Sequence, residues 1–199
     1  MSPRQTSLFP IANQGLFSSN FLHTKFLSLP IWRDTPEVLE RIAHAQAAIR
    51  KAYAEAERVS LFDAHDEQKT EDVFIRPVLK ALGWEYDPQP KHKRGKRKVR
   101  PDYALFATRD DFEQAARVRN KPSAYYSRAQ VIAEAKYWGR PLNDTVAEDP
   151  LDARDATAQL VRYLDEVYYH TNGQLLWGIL TNGKTWRLFS HRAASRSSN

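Results

Sequence analysis

Apolar positions recur at helical spacing over three stretches of the chain and at strand spacing over several shorter ones. Leu39, Ile42, Ile49, Tyr53 and Ala56 mark one helical stripe. Thr35 ahead of it suits an N-cap and Pro36 the first helical position, so a long helix is expected from there to about Val59. Residues Asp63–Gln68 read as a polar connection. A second helix is expected from near Thr70 to Gly83, a good C-terminal breaker, with Phe74, Val78 and Leu82 on one face. Pro77 inside it removes one backbone donor and should bend the helix or limit its first part. A third stripe, with Leu160, Val161, Leu164, Val167 and Tyr168 facing inward, predicts a helix over 153–169.

Between these stripes the period changes to that of strands. Trp84-Glu85-Tyr86 reads as a short strand, Asp102–Phe106 as another, and Ala129–Trp138 contains a third with Val131, Ile132 and Ala133 buried. Asp110–Arg119 is expected to be a short helix and Gly139–Asp152 a polar loop. Leu175–Leu180 is nearly continuous in apolar residues, as in a strand buried on both faces, and here Trp177, with Trp186 and Phe189 beyond, is read as core. Asn182-Gly183 is a hairpin turn signal, with a return strand over Thr185–Phe189. Residues 1–34 look irregular but carry anchors such as Phe17, Phe21, Phe26 and Trp32, so they should pack on the core or on a neighbour. The implied class is α/β, a central mixed sheet flanked by helices with a helical N-terminal extension. The expected divisions are 1–62 for the extension and long helix, 63–190 for the core, and 191–199 for a polar tail or linker.

Composition narrows the chemistry. The 199 residues suit one domain with an appendage. A hydrophobic share of 42% supports a sizeable core. The absence of cysteine excludes disulfides and thiolate metal sites and fits a reducing cytoplasm. No secretory signal and no stretch of about 20 apolar residues is present, so a cytoplasmic protein with no membrane partner is expected. The net charge of +6 matters by its placement: Lys91, Lys93, Arg94, Lys96, Arg97, Lys98 and Arg100 form one dense basic run. Such a run is either a solvated loop or a contact for the phosphates of nucleic acid, and its position just before Asp102 favours the second reading. A Gly-rich phosphate loop of the GxxxxGK type is missing, as are methyltransferase motifs.

Four positions sit where charge is costly. Glu134 and Lys136 alternate with Ala133 and Ala135 in an apolar strand, so they share a face. A carboxylate and an ammonium in a buried strand require a partner or a ligand. Asp102 opens the strand before it, directly after Pro101. Glu71 lies three residues before Phe74 and seven before Val78, hence on their inward face. Carboxylates on neighbouring strands make a partial shell for Mg²⁺, with waters and a phosphate completing it. The plainer alternatives are a surface salt bridge for Glu134–Lys136 and a dipole-favoured acid at a helix start for Glu71.

Pro101-Asp102, followed 32 residues after the aspartate by Glu134-Ala135-Lys136, resembles the PD-(D/E)XK nuclease superfamily. Glu71 through Trp84 (EDVFIRPVLKALGW) is similar to that superfamily's glutamate-bearing helix, and Gln159 and Tyr163 to its QxxxY element. The chain looks like the N-terminal nuclease domains of type IIG restriction–modification enzymes and of type I restriction R subunits, most strongly over about residues 70 to 190; Gly15–Trp32 looks like the opening of such enzymes. The resemblance implies a restriction-endonuclease-like core that cuts double-stranded DNA in restriction or phage defence. It implies Mg²⁺, replaceable by Mn²⁺, held by Asp102, Glu134 and the Ala135 carbonyl with support from Glu71. Lys136 would orient the attacking water, and Gln159 and Tyr163 would touch the phosphate backbone or brace Lys136. It further implies methyltransferase and target-recognition modules in the same or a separate chain, and dimerisation for double-strand cutting. The alternative is a catalytically inactive DNA-binding or partner-docking module.

Overall fold

The computed structural model describes residues 16–18, 21–30, 34–90, 92–94, 97–142, 155–174 and 176–191, with backbone only at His23, Leu27, 92–94 and 97–99. Helix α1 spans Pro36–Arg58 and starts as its sequence implies: the Thr35 hydroxyl accepts from the Val38 N–H at 3.4 Å. Ser60, in the left-handed region at φ 53°, turns the chain away from its end. The next helical run begins earlier than the pattern suggested. Asp66 caps it, accepting from the Lys69 N–H at 2.9 Å, so α2 (Glu67–Thr70) takes up residues read as a polar connection. A π turn over Glu71–Ile75 follows, then α3 (Arg76–Ala81). The wider π spacing lies directly ahead of Pro77, which has no N–H with which to continue an α ladder.

Strands β1 (Glu85–Pro88), β4 (Tyr103–Phe106), β5 (Val131–Ala135), β6 (Trp177–Thr181) and β7 (Trp186–Ser190) form one mixed sheet in the order β1-β4-β5-β6-β7. Only β5 and β6 run parallel. That pair needs a crossover, and α6 (Ala156–His170) lies in the connection, packed across the sheet. The basic run folds back as a two-stranded ribbon, β2 (His92–Arg94) with β3 (Arg97–Val99), where a loop or contact segment was expected. Helix α4 (Arg109–Arg117) was legible; α5 (Pro122–Tyr126) was not.

The sheet buries both faces. On one, Ala104, Phe106, Ile132 and Leu180 pack against Tyr125, Tyr126, Leu160, Leu164 and Val167 of α5 and α6. On the other, Tyr103, Leu105, Val131, Ala133 and Ala135 pack against Ile75 and Leu79. The alternation expected for β5 is therefore met. Beyond that second layer, Ala52 and Ala56 of α1 pack on Leu61, Phe74 and Val78. Core burial of this kind stabilises by roughly 25 cal/mol per Å² of apolar surface removed from water.

Several expected core positions are not covered. Leu39 and Ile42 are about half exposed, because the buried residues of α1 lie in its C-terminal half, against the π turn and α3; Tyr53 is also about half exposed, with its ring against Phe62, Phe74 and Trp138. Leu82 follows the last turn of α3 and points to solvent; Tyr168 is also exposed. Trp177 is 38% exposed at the start of β6, whereas Ile179 and Thr181 on the same face are covered; Phe17 reaches the Trp177 ring at 6.1 Å, so part of the N-terminal segment does pack on the sheet. Among the described residues, no helix is long and apolar enough to cross a membrane.

The β6–β7 hairpin turns as its Asn-Gly pair implies. Asn182 Oδ1 accepts from the Thr185 N–H at 2.7 Å, and Gly183 adopts φ +80°. A Cβ on Gly183 would stand 2.5 Å from the Trp138 ring. Gly183→Ala is therefore expected to destabilise the protein by about 1–3 kcal/mol, read as a lower midpoint in urea unfolding.

Candidate metal centre

β4 and β5 run antiparallel, with Tyr103 opposite Ala133 as their last pair toward the open end of the sheet. One step further along the same register sets Asp102 opposite Glu134. The Asp102 carboxylate accepts from the Ala135 N–H at 2.8 Å, which pins it to the end of β5. Lys136, just beyond β5, donates to Glu134 Oε1 at 2.8 Å, and both side chains are almost fully buried. The shared face read from period-two spacing is thus present as a direct ion pair.

The helical run approaches the same point from the other side. Thr70, fully buried, accepts the Trp138 N–H at 3.0 Å and donates to the Asp66 carbonyl at 2.8 Å. This clamps α2 to the segment that follows Lys136. Glu71, on the next residue, is buried; its Oε2 accepts from the Tyr103 hydroxyl and from Arg76 Nη2 at 3.3 Å. Glu67, one turn earlier, lies 3.7 Å from Lys136 Nζ. One carboxylate oxygen each from Glu67, Glu71 and Asp102 lies within 4.8 Å of the others. Ligand oxygens sharing one hard divalent ion are separated by at most about 4–5 Å.

Charge in this cluster is unbalanced. Burial, then the Glu134 charge, pushes the Asp102 carboxyl well above its ordinary range, against the pull of the Ala135 N–H and Lys136. Burial also raises Glu134, partly offset by Lys136. Burial would depress Lys136, but the carboxylates of Glu134 and Glu67 outweigh it and hold the ammonium charged. Glu134 Oε2 is buried and finds no N–H donor among the described residues. A buried carboxylate oxygen without a donor is costly, and a cation beside it removes that cost. The residues present therefore fit a hard divalent ion.

The structure brings Asp102, Glu134, Lys136 and Glu71 together. Ala135 joins them through its N–H. Gln159 Nε2 and Tyr163, one turn apart on α6, are joined by a 3.1 Å hydrogen bond donated to the Tyr163 hydroxyl, whose pKa is raised by burial and then by the Glu134 charge. Gln159 Oε1 is buried without a donor. Of the basic run, Lys91 and Lys96 lie outside the described residues, as do the side chains of Lys93, Arg94, Arg97 and Lys98; Arg100 is exposed and donates to Gln89. Glu67, Tyr103 and Arg76 escaped the sequence reading. Glu67 sits four residues before Glu71, a same-face spacing, but starting the helix near Thr70 put it in a loop.

Comparison with protein-family models, with curated proteins and with solved structures yields no match. Thr70→Val, which keeps the shape but leaves the Trp138 N–H without an acceptor, is expected to cost about 1–3 kcal/mol, measurable by thermal or urea denaturation against the parent.

Proposed function

We propose that this chain is a Mg²⁺-dependent endonuclease with a restriction-endonuclease-like core, hydrolysing phosphodiester bonds in double-stranded DNA. The observation that carries this reading is the junction at the ends of β4 and β5. There Asp102 and Glu134 stand side by side, Lys136 is bonded to Glu134, and Glu71 arrives from the facing helix. The motif resemblance of Pro101-Asp102 and Glu134-Ala135-Lys136 supports the same assignment.

Asp102, Glu134 and the Ala135 carbonyl would hold the ion, with Glu71 adjoining. A bound divalent ion supplies charge stabilisation at the phosphate and lowers the pKa of a bound water. Lys136, kept protonated by its two carboxylates, has no lone pair with which to accept a proton. Its work is to donate hydrogen bonds, to the attacking water or to a non-bridging phosphate oxygen, and to stabilise negative charge there. Tyr163 and Gln159 would offer further polar contacts to the backbone of the substrate or brace Lys136. The basic ribbon ends at Val99, three residues before Asp102, so its charges enter the chain path next to the acids. In a restriction or phage-defence setting, methylation and target recognition belong to other modules, and cutting both strands calls for two such sites.

A supercoiled-plasmid assay with Mg²⁺ or Mn²⁺ tests the reading. The parent chain should nick or linearise DNA, and EDTA should abolish this. Glu134→Ala and Lys136→Ala should each lose at least about 100-fold in rate, with circular dichroism confirming that each remains folded. Equal cutting by parent and variants would sink the assignment; DNA retention with no metal-dependent cutting would favour a binding module instead.

The ribbon gives a separate expectation. Replacing Lys93, Arg94, Arg97 and Lys98 with Ser should weaken DNA binding irrespective of sequence. The slope of log affinity against log salt should flatten by roughly 0.9 for each phosphate contact removed, as read by fluorescence anisotropy across a salt series.

A further inference from the structure

Glu67 has no part in the motif that suggested the site, yet it is placed as a member. It lies on the first turn of α2, held there by the Asp66 cap and by the Thr70–Trp138 bond, and its side chain is 38% exposed while Glu71, Glu134 and Lys136 are buried. Glu67 and Asp102 are thus the partly exposed acids of the group. The Glu67 oxygen lies within 4.8 Å of oxygens from Glu71 and Asp102. It faces Lys136 Nζ at 3.7 Å, beyond hydrogen-bonding distance, a loose ion pair that a metal can replace.

A cluster of acids alone does not make a cation site, and here a second feature points the same way. The Glu134 side chain is 1% exposed, and its Oε2 finds no N–H donor among the described residues. The carboxylate to which it belongs sits against this cluster: its Oε1 takes the Lys136 ammonium that Glu67 also faces, and its charge acts on Asp102. Glu67 and Glu134 thus share Lys136, and Arg76 is divided between Glu71 and Asp72. Both hydrogen bonds to Glu71 fall on Oε2, so neither engages its Oε1.

We propose that Glu67 is a direct ligand of a hard divalent cation, which it holds together with Glu71 and Asp102 at the solvent-facing side of the Glu134–Lys136 pair. Asp102 is then common to this position and to the one assigned to Glu134 and the Ala135 carbonyl. The exposed carboxylate gives the ion its route of entry. Occupation takes Glu67 from Lys136, which leaves the ammonium paired with Glu134 and turns one of its donors toward the substrate. The inference deepens the nuclease reading and rests on the same site.

Binding of Mn²⁺ to the full chain without DNA tests it, by electron paramagnetic resonance of the free ion and by calorimetry. Glu67→Gln should weaken Mn²⁺ binding by about 10-fold or more, Glu67→Asp should restore most of it, and Glu40→Gln on the exposed face of α1 should leave it unchanged. Glu67→Gln binding as tightly as the parent, a shift of the same size in Glu40→Gln, or no Mn²⁺ uptake by the parent would each overturn the proposal. The two readings fail separately. Mn²⁺ binding that depends on Glu67, in a chain that cuts no DNA, retires the nuclease and keeps the ligand. Mg²⁺-dependent cutting, with Mn²⁺ affinity indifferent to Glu67, keeps the nuclease and retires the ligand.

Discussion

The Glu134–Lys136 ion pair, buried at the end of the central strand, is the constraint around which the rest is arranged. Two charges are taken out of water at a cost of several kcal/mol each, roughly. Their 2.8 Å contact recovers only part of that, since Glu134 keeps one oxygen without a donor. An apolar pair of similar size would pack in β5 at lower cost. The ion pair sits where Glu67 is within reach of the ammonium and where, at the end of β5, pairing with β4 gives way to side-chain contacts.

Bringing a helix to that point requires its own set of contacts. The Asp66 cap decides where α2 begins, the Thr70–Trp138 bond fixes its depth, and the π turn rotates Glu71 onto Tyr103. Each link is polar and short range, and each is backed by apolar packing: Phe74 and Trp138 meet edge to face at 5.1 Å, and Gly183 lets the indole approach the β6–β7 turn. The site thus depends on the hairpin at the far end of the chain as much as on the strands that carry its acids. Glu134 sits within β5, Asp102 directly precedes β4, Glu67 is on the first turn of α2 and Glu71 opens the π turn. Such an arrangement preorganises charge.

Much of this was legible in the residues because it is local. Thr35-Pro36, Gly83 and Asn182-Gly183 mark element ends through backbone chemistry that operates wherever they occur. Period-two spacing placed Glu134 and Lys136 on one face of β5, and helical spacing turned Glu71 inward, both as observed. These readings depend on neighbours within a few residues, and so survive without knowledge of the fold.

What required the tertiary structure was every question of which surface covers which. Leu39 and Ile42 are as apolar as the residues that are buried, yet they stay exposed, because among the described residues α1 is covered only toward its C-terminal half. Glu67 looked like part of a polar connection until the cap at Asp66 extended the helix and the Thr70 contact carried it to Lys136. The amino-acid order by itself determined the elements and the faces of their charges. The meeting of four acids from a helix and two strands was decided by long-range packing, because distances between segments 30 or more residues apart are set by layers and register rather than by any local preference of the chain.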